Sequence, residues 1–365
     1  MSVLDNLVGR ASPRVALKRG LRLAEQGQTK RAFPLLVRAA TTGIAEAEYR
    51  VGRCYLEGVG VPPSRAQGAR WLERAANQGY VEAQVLLATL FVHGLATDSI
   101  GSAAGLFAGN AAMQPDFVAA EKWARRSAEG GSADGQALLG FILTSGPDNL
   151  RNLDEARGWY ERSAAAGCPQ GHLGYALAMA RDGTTPESQA AIIEQLRKAA
   201  DASLPTALYL LGMVTERGLG TTADAAAAAE FYRRSAERGH RGAQARWGVA
   251  LLEGRGVKAN ATEGESWLRR AALAGDAEAA AVVGDLYAKG GKLPPNFAEA
   301  AIWFRRAAEA NHQGAARALG MLHLTGAGVG RDQDEAARWF RAAALAGDRN
   351  AQVDFANLLL KGVGG

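Results

Sequence analysis

Apolar positions along this chain recur at helical spacing in short stretches that alternate with turns, and the stretches resemble one another. "YRVGRCYLEG", "LLATLFVHG", "LLGFILTSG", "YLLGMVTERG", "RWGVALLEG", "VVGDLYAKG" and "ALGMLHLTG" each carry a small residue in the middle and a glycine six positions later. The small residues are Gly52, Ala88, Gly140, Gly212, Gly248, Gly284 and Gly320; Ala176 and Ala356 extend the series. Successive steps are 36 residues, except one of 52 between Ala88 and Gly140, which is 36 plus a 16-residue insertion. A fixed period of this length marks a repeat architecture.

Other columns keep the same register. Nineteen positions after the marker stand Trp71, Trp159, Phe231, Trp267, Trp303 and Trp339, with Trp123 after the insertion and Gln195 as the exception. Pairs of small residues follow four positions on, the spacing of one helix face. Twelve past the marker come Ser64, Asn152, Ser188, Asp224, Asn260, Asn296 and Asp332, with Asp116 in the unit that carries the insertion. All are good helix N-caps, each contributing about 1 kcal/mol. Gln67, Glu155, Glu263, Glu299 and Glu335 follow three later and predict capping boxes. A glycine then closes most units, with Ser203 and Asn311 as departures.

Each unit therefore reads as two short helices joined by a loop. One such pair cannot bury its apolar stripe alone, so neighbouring pairs must stack. The expected fold is all-α, a right-handed α-solenoid. Residues 1–13 form an N-terminal segment and 14–44 a divergent first helical pair. Residues 45–365 form an array of eight repeats and a terminal capping helix, with an insertion at about 95–114. The unit over 171–204 is the weakest.

The unit A-x(3)-L-G-x(2)-Y-x(2)-G-x-G-V, followed by an aromatic pair, A-A and a late glycine, resembles the Sel1-like repeat, a relative of the tetratricopeptide repeat. "AEYRVGRCYLEGVGVPPSRAQGARWLERAANQG" and "AARALGMLHLTGAGVGRDQDEAARWFRAAALAG" carry it most fully. The resemblance implies a scaffold or adaptor in a multiprotein assembly. Bacterial members are associated with signalling, envelope and exopolysaccharide systems. Cysteine-rich secreted members place a disulfide in each repeat; Cys54 and Cys168, three repeats apart, depart from that pattern.

Composition narrows the reading only a little. Among 365 residues, 48% are hydrophobic and 22% charged, as in ordinary folded proteins. A net charge of +5 does not by itself indicate nucleic acid. No apolar run reaches membrane-span length, and the N-terminus lacks an apolar signal core, so a cytoplasmic location is the expectation.

The glycine pair Gly58 and Gly60 precedes a helix, as in a phosphate cradle. It recurs at Gly218/Gly220, Gly254/Gly256 and Gly326/Gly328 without a following GK[ST], so backbone need explains it better. The five histidines occupy different repeats and form no H-E-x-x-H. No G-x-S-x-G elbow appears. A non-enzyme without cofactor or metal is expected.

Candidate partner contacts lie where the units differ chemically. One position past the marker, or three before it, stand Tyr49, Arg53, Thr89, Phe141, Tyr209, Met213, Asp285, Met321 and Asn357. In a solenoid the first helices line the concave side, so these residues face a groove for a peptide or helix. Surface drift is the competing explanation. Leu106 and Phe107 give the insertion an apolar patch, a candidate docking loop as against simple decoration. Arg126, Arg234, Arg270 and Arg306, twenty-two past the marker once the insertion before Arg126 is counted, are read as facing away from the tryptophans. They either complement helix C-terminal dipoles or form a basic ridge for an anionic polymer. The rival reading is a regulatory or accessory subunit, or an enzyme, of polysaccharide or cell-envelope metabolism.

Overall fold

The computed structural model describes residues 12–94, 115–183, 185–290 and 294–364. Among them are nineteen α-helices and no strand. An initial pair, α1 (Pro13–Glu25) and α2 (Thr29–Ala40), precedes the repeats. The first helices of the repeats are α3 (Ala45–Glu57), α5 (Val81–His93), α7 (Ala133–Ser145), α9 (Pro169–Arg181), α11 (Pro205–Arg217), α13 (Arg241–Glu253), α15 (Ala277–Lys289) and α17 (Gln313–Thr325). The second helices are α4 (Arg65–Asn77), α6 (Phe117–Glu129), α8 (Leu153–Ala165), α10 (Pro186–Asp201), α12 (Ala225–Glu237), α14 (Ala261–Leu273), α16 (Phe297–Glu309) and α18 (Gln333–Leu345); α19 (Arg349–Leu359) follows them. The chain divides into two compact units, Met1–Thr184 and Thr185–Gly365. The insertion, with Leu106 and Phe107, lies outside the described residues.

The marker residue is small because a second helix crosses it. A Cβ on Gly52 would lie 2.8 Å from the Leu72 side chain; on Gly212 it would meet the Tyr232 ring at 2.5 Å, and on Gly320 the Phe340 ring at 2.7 Å. These partners stand one position after the tryptophan column and are almost fully buried. Where the marker is Ala88, the partner position holds Ala124, so the pair stays complementary in volume. Each large side chain so buried contributes about 1.5–3 kcal/mol.

Seven of the eight expected N-caps accept a backbone N–H: Ser64, Asp116, Asn152, Asp224, Asn260, Asn296 and Asp332. Ser188 does not. Helix α10 begins earlier, at Pro186, because Thr185 supplies the cap and proline suits the first helical turn. The expected capping boxes also differ. The N–H of each cap donates instead to a carbonyl in the preceding helix, as from Ser64 to Tyr55 (2.8 Å), Asn260 to Leu251 (2.8 Å) and Asn296 to Tyr287 (2.8 Å). That donor is spent on joining the two helices of a unit.

Two of the acidic residues three past the cap serve instead to bind the preceding repeat. Glu155 Oε1 accepts from the indole Nε1 of Trp159 (3.1 Å) and from Arg125 of the preceding unit (2.6 Å). Glu299 repeats this with Trp303 (3.0 Å) and Arg269 (2.6 Å). These bridges hold the Glu155 carboxyl below its ordinary range and push the Arg125 guanidinium further up.

Candidate partner-binding grooves

Among the described residues, a groove opens on the first helices of each unit. In the N-terminal unit a cavity of about 690 Å³ lies among α5, α7 and α9, with α8 beneath. Its wall is aliphatic and aromatic: Val85, Leu138, Phe141, Leu173 and Leu177 line it over the Tyr160 ring. Phe141 and Leu177 are 43% and 49% exposed, large apolar groups left facing water. Tyr160 fits beneath because α9 has Gly174 there; a Cβ at that position would stand 2.1 Å from the ring. Burial pushes the Tyr160 hydroxyl up from its ordinary value.

The groove's two ends differ in charge. Asp134 and Gln170 stand at the first turns of α7 and α9, and Cys168 Sγ reaches both side chains, at 3.5 and 3.4 Å. The two helices thus begin at the same end. Arg181 stands at the other, with Thr144 and Ser145.

The groove of the second unit, about 460 Å³, is smaller and more polar. Tyr209 and Val249 face it, together with Glu216, Arg246, Arg255 and Glu278. Glu216 accepts from the Tyr232 hydroxyl (2.8 Å) and from Arg255 (3.0 Å), with Arg246 at 3.6 Å. Burial, then the Glu216 carboxylate, raises the Tyr232 hydroxyl well above its ordinary value. Tyr209 stacks on His240, ring centres 4.5 Å apart.

Outside the grooves the arginine column departs from expectation. Arg74, Arg126, Arg162 and Arg270 lie across the rings of Trp71, Trp123, Trp159 and Trp267, with separations of 4.5–4.9 Å. They therefore do not face away from the tryptophans. The three-residue offset places them on the same helix face, and the ring quadrupole attracts the cation. Arginine occupies the ring faces that a sugar or base would use.

The sequence profile of the Sel1 repeat matches residues 45–80, 103–132, 133–168, 205–240, 242–276, 277–312 and 314–348. The chain belongs to the Sel1 repeat family. The matched Sel1 repeats leave out residues 169–204, the unit with Gln195 and Ser203. Among solved structures, a Sel1 repeat protein from Oxalobacter formigenes is 28% identical at a TM-score of 0.58, covering 88% of this chain and 89% of that one. A protective antigen of uropathogenic Escherichia coli with a Sel1-like fold is 26% identical at a TM-score of 0.59, covering 100% and 84%. Chitin synthase regulatory factor 3 of Schizosaccharomyces pombe is 28% identical over 142 residues, 39% of this chain but only 14% of that protein's length. The all-helical Sel1 solenoid class follows from these matches.

The first-helix candidates are distributed over both compact units. Thr89 and Phe141 share the larger groove, and Tyr209 faces the smaller. The Tyr49 ring lies tilted against Tyr80 (centres 5.1 Å apart), and Arg53 is held by Glu57 (2.9 Å), which raises its pKa. Met213 packs against the Tyr232 cluster, and Asp285 pairs with Lys289 (2.5 Å). Met321 and Asn357 are exposed. Of the ridge arginines, Arg126, Arg270 and Arg306 are exposed and Arg234 is half-buried.

Sequence reading passed over Leu173 and Leu177, although they occupy the same columns as Tyr49 and Phe141, three before and one past Ala176. Their unit's degenerate tryptophan and glycine columns masked that register. It also passed over the capping role of two histidines. Nδ1 of His240 accepts from Ala243 N (3.2 Å), and that of His312 from Ala315 N (3.0 Å). Their column carries Asp276 and Asp348 in sibling units, a signal legible in the sequence.

Proposed function

We propose that this Sel1 repeat chain is a non-catalytic scaffold that binds protein segments along the grooves of its first helices. The observation that carries this reading is the apolar groove of the N-terminal unit, where Phe141 and Leu177 remain exposed. Large exposed apolar groups lining a cavity mark recognition surfaces more often than chance exposure does. The reading places the protein in the cytoplasm, within a bacterial signalling or envelope/exopolysaccharide assembly. Affinity capture with the full chain from its native host, followed by mass spectrometry, tests it. Specific partners that withstand raised salt are expected. Capture of nothing beyond what an unrelated Sel1 solenoid retains would defeat the proposal.

A second reading has its own support: similarity to a protein named as a chitin synthase regulatory factor. On that reading the chain is an accessory subunit of polysaccharide or envelope metabolism, and Arg126, Arg234, Arg270 and Arg306 meet an anionic polymer. Salt-sensitive binding of the acidic polysaccharide alginate, abolished by reversing those four charges, is its expected signature. Alginate binding unchanged by that reversal removes the ridge.

A further inference from the structure

We propose that the N-terminal unit's groove takes one specific class of occupant: an amphipathic α-helix of a partner protein, oriented by opposite charges at the groove's ends. This rests on the scaffold reading and deepens it.

Backbone hydrogen bonding favours a helix over an extended peptide here. An extended peptide must find partners for its N–H and C=O groups on the surface that receives it. This groove has little to give. No strand edge exists among the described residues. The lining threonines donate their hydroxyl protons to their own helices, Thr89 to Val85 O (2.9 Å) and Thr144 to Gly140 O (2.7 Å). Asp134, Gln170, Ser145 and Arg181 stand only at its ends, and the wall between them is aliphatic or aromatic. An occupant must therefore satisfy its own backbone while offering apolar side chains, as a helix does.

Size and charge agree with this. Helix α7 has 13 residues, so the groove beside it runs about 20 Å, three to four helical turns. Apolar residues spaced i, i+3 or i+4, and i+7 would then meet Phe141, Leu173 and Leu177. Asp134 is exposed at one end, where its contact is the weak thiol of Cys168. Arg181 at the other end touches Asp182 only at 3.6 Å and Leu153 O at 3.5 Å. Both charges thus have capacity for a ligand. A basic residue at one end of the incoming helix and an acidic residue at the other would select one direction. The second unit's groove, with its Glu216–Arg246–Arg255 cluster, lacks this character.

The test is selection from a randomised 16-residue peptide library against the full-length chain. Enriched peptides should show apolar residues at helical spacing, gain helicity on binding, and carry opposite charges near their ends. Phe141→Asp and Leu177→Asp change exposed side chains, so circular dichroism and melting should stay as in the unsubstituted chain. Each should weaken the selected peptides at least about 10-fold. Exchanging the charges of Asp134 and Arg181 should favour peptides of reversed charge order. The proposal is overturned if no peptide is enriched, if enriched peptides bind extended, or if they bind the Phe141→Asp chain equally well. Host partners still captured by the Phe141→Asp, Leu177→Asp double variant would overturn this site while leaving the scaffold reading intact.

Discussion

Two residues show how side-chain chemistry is bent to the demands of this repeat. Ser203 and Asn311 replace glycine at the turn into the next unit and still take the left-handed conformation, at φ 61° and 64°. For an L-residue this costs roughly 1–2 kcal/mol, less for asparagine, whose side chain tolerates the region. Glycine removes that strain but raises the entropy of the unfolded chain by about 0.5–1 kcal/mol. Ser203→Gly is therefore expected to stabilise by about 0.5 kcal/mol in urea denaturation, and Asn311→Gly to be nearly neutral. His240 adds a pH dependence. Its Nδ1 can cap α13 only when unprotonated, and burial, with the Arg241 charge second, lowers its pKa below the ordinary value. The folded state then holds fewer protons than the unfolded one, so stability is complete above about pH 6.5 and declines as pH falls below it. His240→Asp, the residue found at the same place in Asp276 and Asp348, should reduce the stability loss between pH 7.5 and 5.5. An unchanged loss would assign the acid sensitivity elsewhere.

At the scale of helices and turns, local chemistry was legible and contacts across units were not. Seven caps could be read from one column because an N-cap needs only its own first turn. The glutamates three positions on predict capping boxes because the sequence does not show that the cap's N–H is already used by the helix before it. Nor does it show that Arg125 and Arg269, 30 residues upstream, reach Glu155 and Glu299. In the sequence the G-x-G loop shows turn chemistry alone, yet its second glycine touches the previous layer. A Cβ on Gly256 would lie 2.0 Å from the Ala225 carbonyl oxygen, whereas one on Gly239 meets nothing within 4 Å. Both have positive φ, 69° and 84°. Gly239→Ala should thus cost about 1 kcal/mol from conformation alone. Gly256→Ala should cost about 3 kcal/mol or more, because backbone must move. Equal losses in chemical denaturation would mean that layer contact contributes nothing at Gly256.

For the molecule as a whole, periodicity made the stack readable, while the room between three successive first helices was not. Groove volume depends on how Gly174, Leu177 and Phe141 come together from two repeats, one of them the most degenerate. The columns assign each residue a position but not the side chains that will stand opposite it. The same nearest-neighbour character governs stability, since each repeat packs on those beside it and the total approximates a sum of unit and interface terms. Core clusters here draw on a few consecutive helices, as where Trp247 and Leu251 pack with Tyr232. A perturbation should accordingly stay near its origin. Gly256→Ala is expected to raise backbone hydrogen exchange in α12, α13 and α14 and to leave α4 to α7 as protected as before, because those helices open through their own neighbours. If exchange rose to the same extent in both sets, the chain would open as one cooperative body and the additive description of its stability would fail.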